Sequence, residues 1–389
     1  MSQLGDIKLS TVIPPTIIKP PEEEDTVFDP ITCGIRSSIT VVSFGGSRQL
    51  EKLGAYALRA DVRDPDDILI PCSMLCVSGD TYLCQFRPQI PGNHILNVKL
   101  GGHHISMSPL SFRVSSSNPV WTTKTEDGQD GNGNLVNPIG VVVDHRGDIY
   151  VTDRDQNNSR VVQYDPSLVY QSEFTLPFGD IYDIAVDRQG RLIISEHNNN
   201  TVHIYTNQGK EEGKIENRDL KKPCGVAVNR NDDVVVADSQ VKCVFVFSQK
   251  KKLLQKIGVP GTEEKQLENP TFLAVEPDNF STVYVSDTGN NKIVVYNRKG
   301  VYESQIAAGD LKRGKLSNPK GVARDRHSHV LVCDEMNQVM VFTHEGAFVA
   351  CIDSGGDQLS NPHGIATTND GHVVVADTGN KCVKKYRYL

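Results

Sequence analysis

One motif of roughly 43 residues occurs six times from residue 138 onward. Each copy opens with a segment similar to Pro-x-Gly-Val-Ala-Val-Asp, passes through an apolar run that ends in an acid, and closes with an apolar run that ends in Tyr or Phe. The copies begin at Pro138, Ile181, Pro223, Pro270, Pro319 and Pro362, which are 43, 42, 47, 49 and 43 residues apart. The acid recurs as Asp153, Glu196, Asp238, Asp287, Asp334 and Asp377. Because such short units cannot bury their own apolar faces, the copies must stack on one another.

Each copy contains three clear strands and a weaker fourth, which in the first copy fall at residues 141–144, 149–153, 161–164 and 173–176. Four short strands in a period of this length are typical of one blade of a β-propeller. The sixth copy lacks its outer strand, and residues 120–125 can supply it from in front of the first blade, so that no sheet edge stays open. The sequence therefore predicts a six-bladed propeller over residues 119–389.

The first third of the chain has a different pattern. Residues 31–115 contain short segments in which apolar residues alternate with polar ones between Gly and Pro turns, as in an antiparallel immunoglobulin-like sandwich. Residues 1–30 combine repeated prolines with the acidic run 22–25, which predicts a disordered linker. His103 and His104 are adjacent on a predicted strand and point to opposite faces, so we expect no metal site there.

Two stretches carry a family resemblance. Tyr82, Phe86, the Pro91-Gly92 turn and Ser108-Pro109 follow the ending of the filamin repeat, and the six copies resemble the NHL repeat. In this order the two domains resemble the C-terminal half of the tripartite-motif NHL family, in particular its cell-lineage regulators. The resemblance implies an all-β chain with a filamin-type immunoglobulin-like sandwich followed by a six-bladed NHL propeller. The sequence lacks paired Cys-x-x-Cys motifs with zinc spacing, so a RING and B-box are not expected within it.

Composition limits the function further. The formal net charge of −7 argues against a protein that coats nucleic acid through bulk positive charge, so any RNA contact must come from a local patch. No apolar run reaches the roughly 20 residues that span a bilayer, and the first ten residues lack a signal-peptide pattern. Nine cysteines, mostly inside strand-like runs, are expected to be buried, reduced thiols. These features predict a cytoplasmic protein without a membrane partner.

Function is expected where the six copies differ, because a residue needed in every blade usually has a structural role. The recurring acids, including Asp144 and Asp187, are therefore predicted to bind turn amides, and Arg160 and Lys292 to pair with acids of this set. The loops that enter the first strand of each blade and those that follow its second strand should emerge on one face. The predicted RNA-binding residues on these loops are Arg154, Asn157, Asn158, Tyr182, His197, Asn198, Lys221, Lys222, Lys242, Lys320, His363 and Lys381.

These residue types fit RNA in three ways. Lysine and arginine neutralise phosphates, tyrosine and histidine rings stack on splayed bases, and asparagine amides read base edges. The family resemblance also implies RNA on this face. Four acids oppose the positive charge among comparable loop positions: Asp155, Asp180, Glu268 and Glu335. The opposite face carries the run Lys250-Lys251-Lys252, so positive charge is not confined to one side.

Three functions are compared. The first is a non-catalytic RNA-binding region that recognises a short motif or stem-loop in mRNA untranslated regions and represses translation or stability. The second is a module that captures protein substrates for a RING-type ubiquitin ligase, with partners held by the propeller or the filamin-type domain. The third, an enzyme, needs several His, Asp or Glu side chains converging on the channel, and the sequence places only His363 and Asp183 near it. We expect no catalysis, cofactor, metal or DNA partner.

Overall fold

A computed structural model of the chain describes residues 6–10, 31–32, 35–44, 58–78, 81–100, 102–105, 108–115, 121–123, 133–155, 158–276, 282–307, 314–352 and 357–388. These residues form strands, turns and one short 3₁₀ helix, Thr288–Asn290. One compact unit consists mainly of residues 1–117, and a second consists mainly of residues 118–349 and 356–388. Within the described ranges, no helix has the length and apolar character needed to cross a membrane.

The first unit is a two-sheet β-sandwich. Its strands are β1 (Asp6–Ser10), β2 (Ser37–Phe44), β3 (Leu58–Arg63), β4 (Leu69–Ile70), β5 (Cys72–Ser78), β6 (Thr81–Phe86), β7 (Gly92–Leu100), β8 (His103–His104) and β9 (Leu110–Val114). One sheet has the order β1-β2-β6-β5; the other has the order β4-β3-β7-β8, with β9 also paired to β7. The named strands pair antiparallel, and one parallel bridge outside them joins Thr32 and Ser115.

Alternation along these strands builds the core of the sandwich. Ile39 and Val41 of β2, Cys84 of β6, and Leu96 and Val98 of β7 are all fully buried in one cluster. Their neighbours in sequence point away from this core, because successive side chains of a strand lie on opposite faces. The apolar period of two thus produces the sandwich that the sequence predicts.

The predicted linker is wrong for one short segment. Residues 6–10 form β1, which pairs with β2 from Asp6 opposite Phe44 to Ser10 opposite Thr40. Ile7 and Leu9 alternate with polar residues, which is a strand pattern. Residues 11–30 of the predicted linker lie outside the described residues, and the boundaries at residues 31, 115 and 119 stay predictions.

The second unit consists of short sheets. Its strands are β10 (Trp121–Thr122), β11 (Pro138–Val143), β12 (Ile149–Asp153), β13 (Arg160–Tyr164), β14 (Tyr170–Thr175), β15 (Ile181–Val186), β16 (Leu192–Glu196), β17 (Thr201–Tyr205), β18 (Glu211–Glu216), β19 (Pro223–Val228), β20 (Val234–Asp238), β21 (Cys243–Phe247), β22 (Leu253–Ile257), β23 (Val259–Pro260), β24 (Gln266–Leu267), β25 (Pro270–Val275), β26 (Val283–Asp287), β27 (Lys292–Tyr296), β28 (Tyr302–Ala307), β29 (Val322–Arg324), β30 (His329–Asp334), β31 (Gln338–Thr343), β32 (Phe348–Ile352), β33 (Pro362–Thr367), β34 (His372–Asp377) and β35 (Cys382–Arg387).

Apart from the small parallel pair β23-β24, these strands form six four-stranded sheets within the described residues. Each sheet is one blade, and the blades are numbered one to six in the order of their first strands: β11, β15, β19, β25, β29 and β33. These six first strands contact one another in a closed cycle, with β33 beside β11. The prediction of an all-β sandwich followed by a propeller is confirmed.

Glycine lets the inner strands approach closely. A Cβ added at Gly140 would lie 2.8 Å from the Cα of Asp183 in the next blade, and one at Gly225 would lie 2.6 Å from the Cα of Phe272. Both separations are shorter than real Cβ contacts, so a larger residue would push the blades apart. The motif glycine therefore sets the spacing of the ring, as the sequence predicts.

The ring is closed by strands distant in sequence. β10 pairs antiparallel with β35, placing Trp121 opposite Lys385 and completing the sixth blade as β10-β35-β34-β33. Beside this closure, the Lys384 ammonium lies 2.9 Å from Asp377 Oδ2 and 2.9 Å from Asp357 Oδ1. The side chains of Lys384 and Asp377 are fully buried. The predicted closure by residues 120–125 is confirmed at Trp121 and Thr122.

The propeller has two faces, which are named here by their connections. The loop face is formed by the loops before the first strand and after the second strand of each blade. The turn face is formed by the turns between the first and second strands and between the third and fourth strands. On the turn face, Asp144 Oδ1 accepts hydrogen bonds from the backbone N–H of Arg146 and Asp148, and Asp187 binds its own turn in the same way. The structural role predicted for these acids is confirmed.

Replacing Lys384 with Met should destabilise the propeller. The substitution leaves the Asp377 carboxylate buried without its cation, and breaking such a pair costs about 3–5 kcal/mol. Urea unfolding, followed by circular dichroism, should show a lower midpoint for Lys384→Met. The matched control, Lys210→Met at an exposed turn position, should keep the parent midpoint. Equal midpoints for both variants would contradict this role of Lys384.

Candidate functional site

The two sets of loops meet at one edge of every blade. In blades one to five the residue directly after the second strand, and in blade six the second residue after it, donates its backbone N–H to a carbonyl of the loop entering the first strand, with distances of 2.7–3.1 Å. The donor and acceptor pairs are Arg154 and Asn137, His197 and Asp180, Ser239 and Lys222, Thr288 and Asn269, Glu335 and Ser317, and Gly379 and Ser360. The predicted site residues that the structure describes belong to these loops or lie next to them, on the loop face.

The acid that ends each second strand holds these loops. Asp153 Oδ1 accepts hydrogen bonds from the N–H of Val136 at 2.9 Å and of Asn137 at 2.7 Å. Asp238 binds the N–H groups of Lys221 and Lys222 through Oδ2. These carboxylates satisfy backbone donors that would otherwise be unpaired. Their predicted structural role is confirmed, and they are not free for chemistry.

The cation at the start of the third strand differs between blades. Arg160 forms the predicted ion pair with Asp153, at 2.9 Å. Lys292 donates its ammonium hydrogens to the carbonyl oxygens of Glu263 at 2.7 Å and Glu264 at 2.8 Å. Both cations tie the loop face together and are partly or fully buried.

Two of the predicted RNA-binding cations are paired with acids of the same face. Arg154 Nη1 lies 3.2 Å from Asp180 Oδ1, and Lys242 Nζ lies 2.7 Å from Glu268 Oε1. Each pair joins one blade to the loop entering the next blade. Because an ion pair has little net field beyond its own length, these residues contribute less positive potential than their number indicates.

The positive charge that remains is concentrated on the loop entering blade three. Lys221 and Lys222 are exposed there, and the side chain of Arg218 is 94% exposed with its Nε 3.8 Å from Asp219 Oδ1. The Lys221 ammonium donates to the Arg218 carbonyl at 2.8 Å, which holds the loop together. Sequence reasoning missed Arg218, although its position three residues before Lys221 could have indicated it.

Aromatic rings from alternate blades meet on the loop face. Tyr182 of blade two stacks on His197, with ring centroids 5.5 Å apart and planes inclined by 22°. Tyr182 also contacts Phe272 of blade four at 5.2 Å, and Phe272 lies 6.5 Å from His363 of blade six. Phe272 is buried, whereas Tyr182, His197 and His363 are partly exposed. The three inner strands thus contribute one chain of ring contacts.

Burial keeps both histidines of this set neutral near pH 7. It lowers the pKa of His197, and burial together with the nearby Lys320 ammonium lowers the pKa of His363 to about 4. Loss of hydration disfavours the imidazolium form, and a neighbouring positive charge acts in the same direction. These side chains are therefore uncharged rings and do not supply phosphate-binding charge.

The other predicted residues are spread around the ring. Lys320 is partly exposed, its Nζ is hydrogen bonded to Asn361 Oδ1, and burial lowers its pKa. Lys381, Asn158 and Asn198 are exposed. Asn157 lies outside the described residues. The structure brings Tyr182, His197, Lys221 and Lys222 into neighbouring loops, whereas Lys320, His363 and Lys381 belong to blades five and six.

A cleft of about 270 Å³ lies among the first strands and contains one unusual carboxylate. Asp183 occupies the glycine position of the repeat, and its Oδ2 accepts the Val226 N–H at 3.0 Å. Burial raises the pKa of Asp183 to about 7.

Among the residues that the structure describes, no three His, Cys, Asp or Glu side chains are grouped as a metal site would need. The eight described cysteines are reduced thiols; six are buried, Cys72 is half-buried and Cys76 is exposed.

Comparison with known proteins identifies the repeat families that these two domains match. The NHL repeat family matches residues 135–164, 220–247 and 359–386, and the filamin/ABP280 repeat family matches residues 25–111. The predicted resemblance to the tripartite-motif NHL family is confirmed. The filamin–NHL chain is 32% identical to the E3 ubiquitin-protein ligase TRIM71 of Rattus norvegicus over 132 residues, which are 32% of this chain and 15% of that protein.

A second relative is the protein brain tumor of Drosophila melanogaster, 27% identical over 144 residues, or 37% of this chain and 13% of that protein. The filamin–NHL chain thus matches a minor part of either relative's length. Among solved structures, a gluconolactonase of Xanthomonas campestris superposes with a TM-score of 0.52 at 17% identity, covering 65% of this chain and 86% of that chain. At this identity the likeness concerns the fold alone.

Replacing Asp183 with Asn should change how stability depends on pH. Between about pH 4 and pH 7 the folded state retains a proton that an unfolded Asp183 releases, so this residue lowers the free energy of unfolding as pH rises through that window. The amide variant lacks this titration. Relative to the parent, Asp183→Asn should gain about 3 kcal/mol of stability between pH 5 and pH 8, because the parent loses about 1.4 kcal/mol per pH unit from pH 5 to about pH 7.

Urea unfolding of both proteins at pH 5 and pH 8 measures the difference. Other buried acids, such as Asp334, whose pKa burial raises to about 6, titrate equally in both proteins and cancel. A stability difference that stays constant with pH would show that Asp183 is ionised in the folded protein at pH 5.

Proposed function

We propose that the loop face binds single-stranded RNA and that this chain is the non-catalytic RNA-binding region of a cytoplasmic post-transcriptional regulator. The bound RNA would be a short motif or the loop of a stem-loop in an mRNA untranslated region, and binding would repress translation or stability. The observation that carries the proposal is the position of exposed Lys221 and Lys222 beside the Tyr182–His197 ring pair.

Contacts of His197 support this juxtaposition. Its Nδ1 lies 3.3 Å from the carbonyl oxygen of Pro223 and 3.3 Å from the Cys224 sulfur. Pro223 directly follows Lys222, so the ring and the lysine loop are neighbours. An RNA strand needs cations for its phosphates and a flat partner for a base, and this pair of loops offers both within one small area.

The paired charges around this area refine the proposal. Arg154 is held by Asp180, the residue whose carbonyl accepts the His197 N–H, so a third cation lies close to the ring pair. A phosphate that binds there must compete with Asp180. The acid therefore lowers affinity for any polyanion and favours RNA whose backbone and base contacts are satisfied together.

Protein capture is the second candidate function. Ion-paired cations and partly buried rings give parts of the loop face a low net charge. Such areas suit contact with another protein. The rat relative is a ubiquitin ligase by name. In this candidate function the propeller would be the substrate-binding part of such a ligase. Such a complex should depend weakly on salt, whereas RNA binding weakens steeply as salt rises.

Removing the lysine pair should weaken RNA binding and its salt dependence. With single-stranded RNA selected on the whole chain, the Lys221→Ala/Lys222→Ala variant should bind about tenfold more weakly. The slope of log affinity against log salt should fall by roughly 1.4, because about 0.7 is lost per phosphate contact. The matched control is Lys250→Ala/Lys251→Ala on the turn face. Equal losses in the two variants would refute binding at the loop entering blade three.

Removing the acid that holds Arg154 should have the opposite effect. In Asp180→Ala the guanidinium is released for phosphate, so RNA affinity should rise about threefold or more and the salt slope should steepen by roughly 0.7. Filter binding at several salt concentrations measures both quantities. Unchanged RNA affinity with tighter binding of an acidic protein partner would favour the second candidate function.

A further inference from the structure

A second cleft opens on the turn face, between blades three and four. Its volume is about 210 Å³, and its floor is formed by aliphatic side chains, among them Val235, Val246, Ile257 and Val275. Leu254 stands at its edge and is 57% exposed. The cleft is on the opposite side of the propeller from the proposed RNA-binding loops, and it does not share residues with them.

Two basic turns flank this cleft. The turn before β22 contains Lys250, Lys251 and Lys252, and the turn before β28 contains Arg298 and Lys299; all five residues are exposed. Hydrogen bonds to residues that line the cleft hold both turns in place.

The donors are two glutamine amides. Gln249 Nε2 donates to the carbonyl oxygen of Asn231 at 2.8 Å, which fixes the lysine turn to the cleft residue Asn231. Gln255 Nε2, itself at the cleft, donates to the carbonyl oxygen of Lys299 at 2.7 Å, which fixes the second turn. Positive charge is thus built into both sides of the opening.

This charge is unpaired, unlike that of Arg154 and Lys242 on the loop face. Within the described part of the chain, the ion pairs do not include Lys250, Lys251, Lys252, Arg298 or Lys299. It is also specific to this place in the ring. The equivalent turns of blades one, two and five, residues 165–169, 206–210 and 343–347, contain a single lysine, Lys210, and no arginine, so the two turns with several cations are the pair that borders the cleft.

We propose that this cleft binds a short acidic peptide segment of a partner protein, which inserts one aliphatic side chain between blades three and four. Flanking carboxylates of the segment would pair with the lysine turn and with Arg298 and Lys299. Asp233 also lines the cleft, where Asn229 Nδ2 donates to its Oδ2 at 3.1 Å. A peptide N–H fits beside Asp233, and the acidic side chains would lie at the basic rim.

The lining favours a peptide over RNA. Bases stack on aromatic rings, and the residues lining this cleft are aliphatic, amide, acidic or Arg298, with no aromatic ring among those that the structure describes. An aliphatic pocket flanked by cations is instead suited to a peptide in which leucine, which would enter the pocket, is adjacent to aspartate or glutamate, which would pair with the cations. Apolar burial supplies affinity, and the charges supply steering and selectivity.

Fluorescence anisotropy on the whole chain tests the proposal with a labelled peptide that alternates leucine and aspartate. The peptide should bind saturably, and a peptide with serine in place of leucine should bind at least tenfold more weakly. Arg298→Glu/Lys299→Glu should weaken binding of the leucine peptide at least tenfold, and Leu254→Ser about threefold or more. The matched control, Lys221→Glu/Lys222→Glu on the loop face, should stay within twofold of the parent.

Circular dichroism of each variant checks folding, since all substituted residues are exposed. The proposal is overturned by three results: no saturable peptide binding by the folded parent, equal affinity of Arg298→Glu/Lys299→Glu and the parent, or equal binding of the serine peptide. It is also overturned when single-stranded RNA competes for the cleft and loses affinity in Arg298→Glu/Lys299→Glu but not in the loop-face control. Failure of RNA binding at the loop face leaves the peptide result unchanged, so the two proposals are distinguished.

Discussion

The close approach of six inner strands is the constraint on which the propeller depends. Neighbouring first strands touch at positions where a Cβ would collide with backbone, which explains the glycine of the repeat. Two blades replace that glycine, with Asp183 and Phe272. Each larger residue faces a glycine of the preceding blade, Gly140 and Gly225, so the ring still closes. These substitutions place a buried carboxylate and a buried ring in an otherwise repetitive interior.

Much of the fold could be predicted because the same pattern of strands and acids recurs in each of the six repeats. Period-two alternation located the strands, the acid after each second strand indicated its own hydrogen bonds, and the missing outer strand of blade six indicated the closing partner at Trp121. The short strand at residues 6–10 was missed because proline and acid content dominates the surrounding segment. Its partner β2 lies almost thirty residues further along the chain, and local composition carries no information about such a pairing.

The candidate site was less predictable, for a physical reason. A sequence locates residues on loops, but charge neutralisation depends on which side chains reach across from the next blade. The pairs Arg154–Asp180 and Lys242–Glu268 both cross such a boundary. Likewise, the sequence predicts that the Tyr182 ring is available to stack on a base, yet the ring already stacks on His197 and contacts Phe272. On these loops, the cations that are available to a ligand differ in exposure, not in residue type, from the cations that are paired with acids.

Closure by β10 and β35 has a consequence for how the propeller is made. During synthesis the chain emerges from the ribosome in order, so β10 is available long before its partner. Five blades can form their own sheets, but the sixth cannot be completed until Cys382–Arg387 has emerged. Until then, Trp121 lacks the strand it pairs with, and the four-stranded sheet of the sixth blade is incomplete. Any factor that protects nascent propellers must therefore act until β35 has emerged.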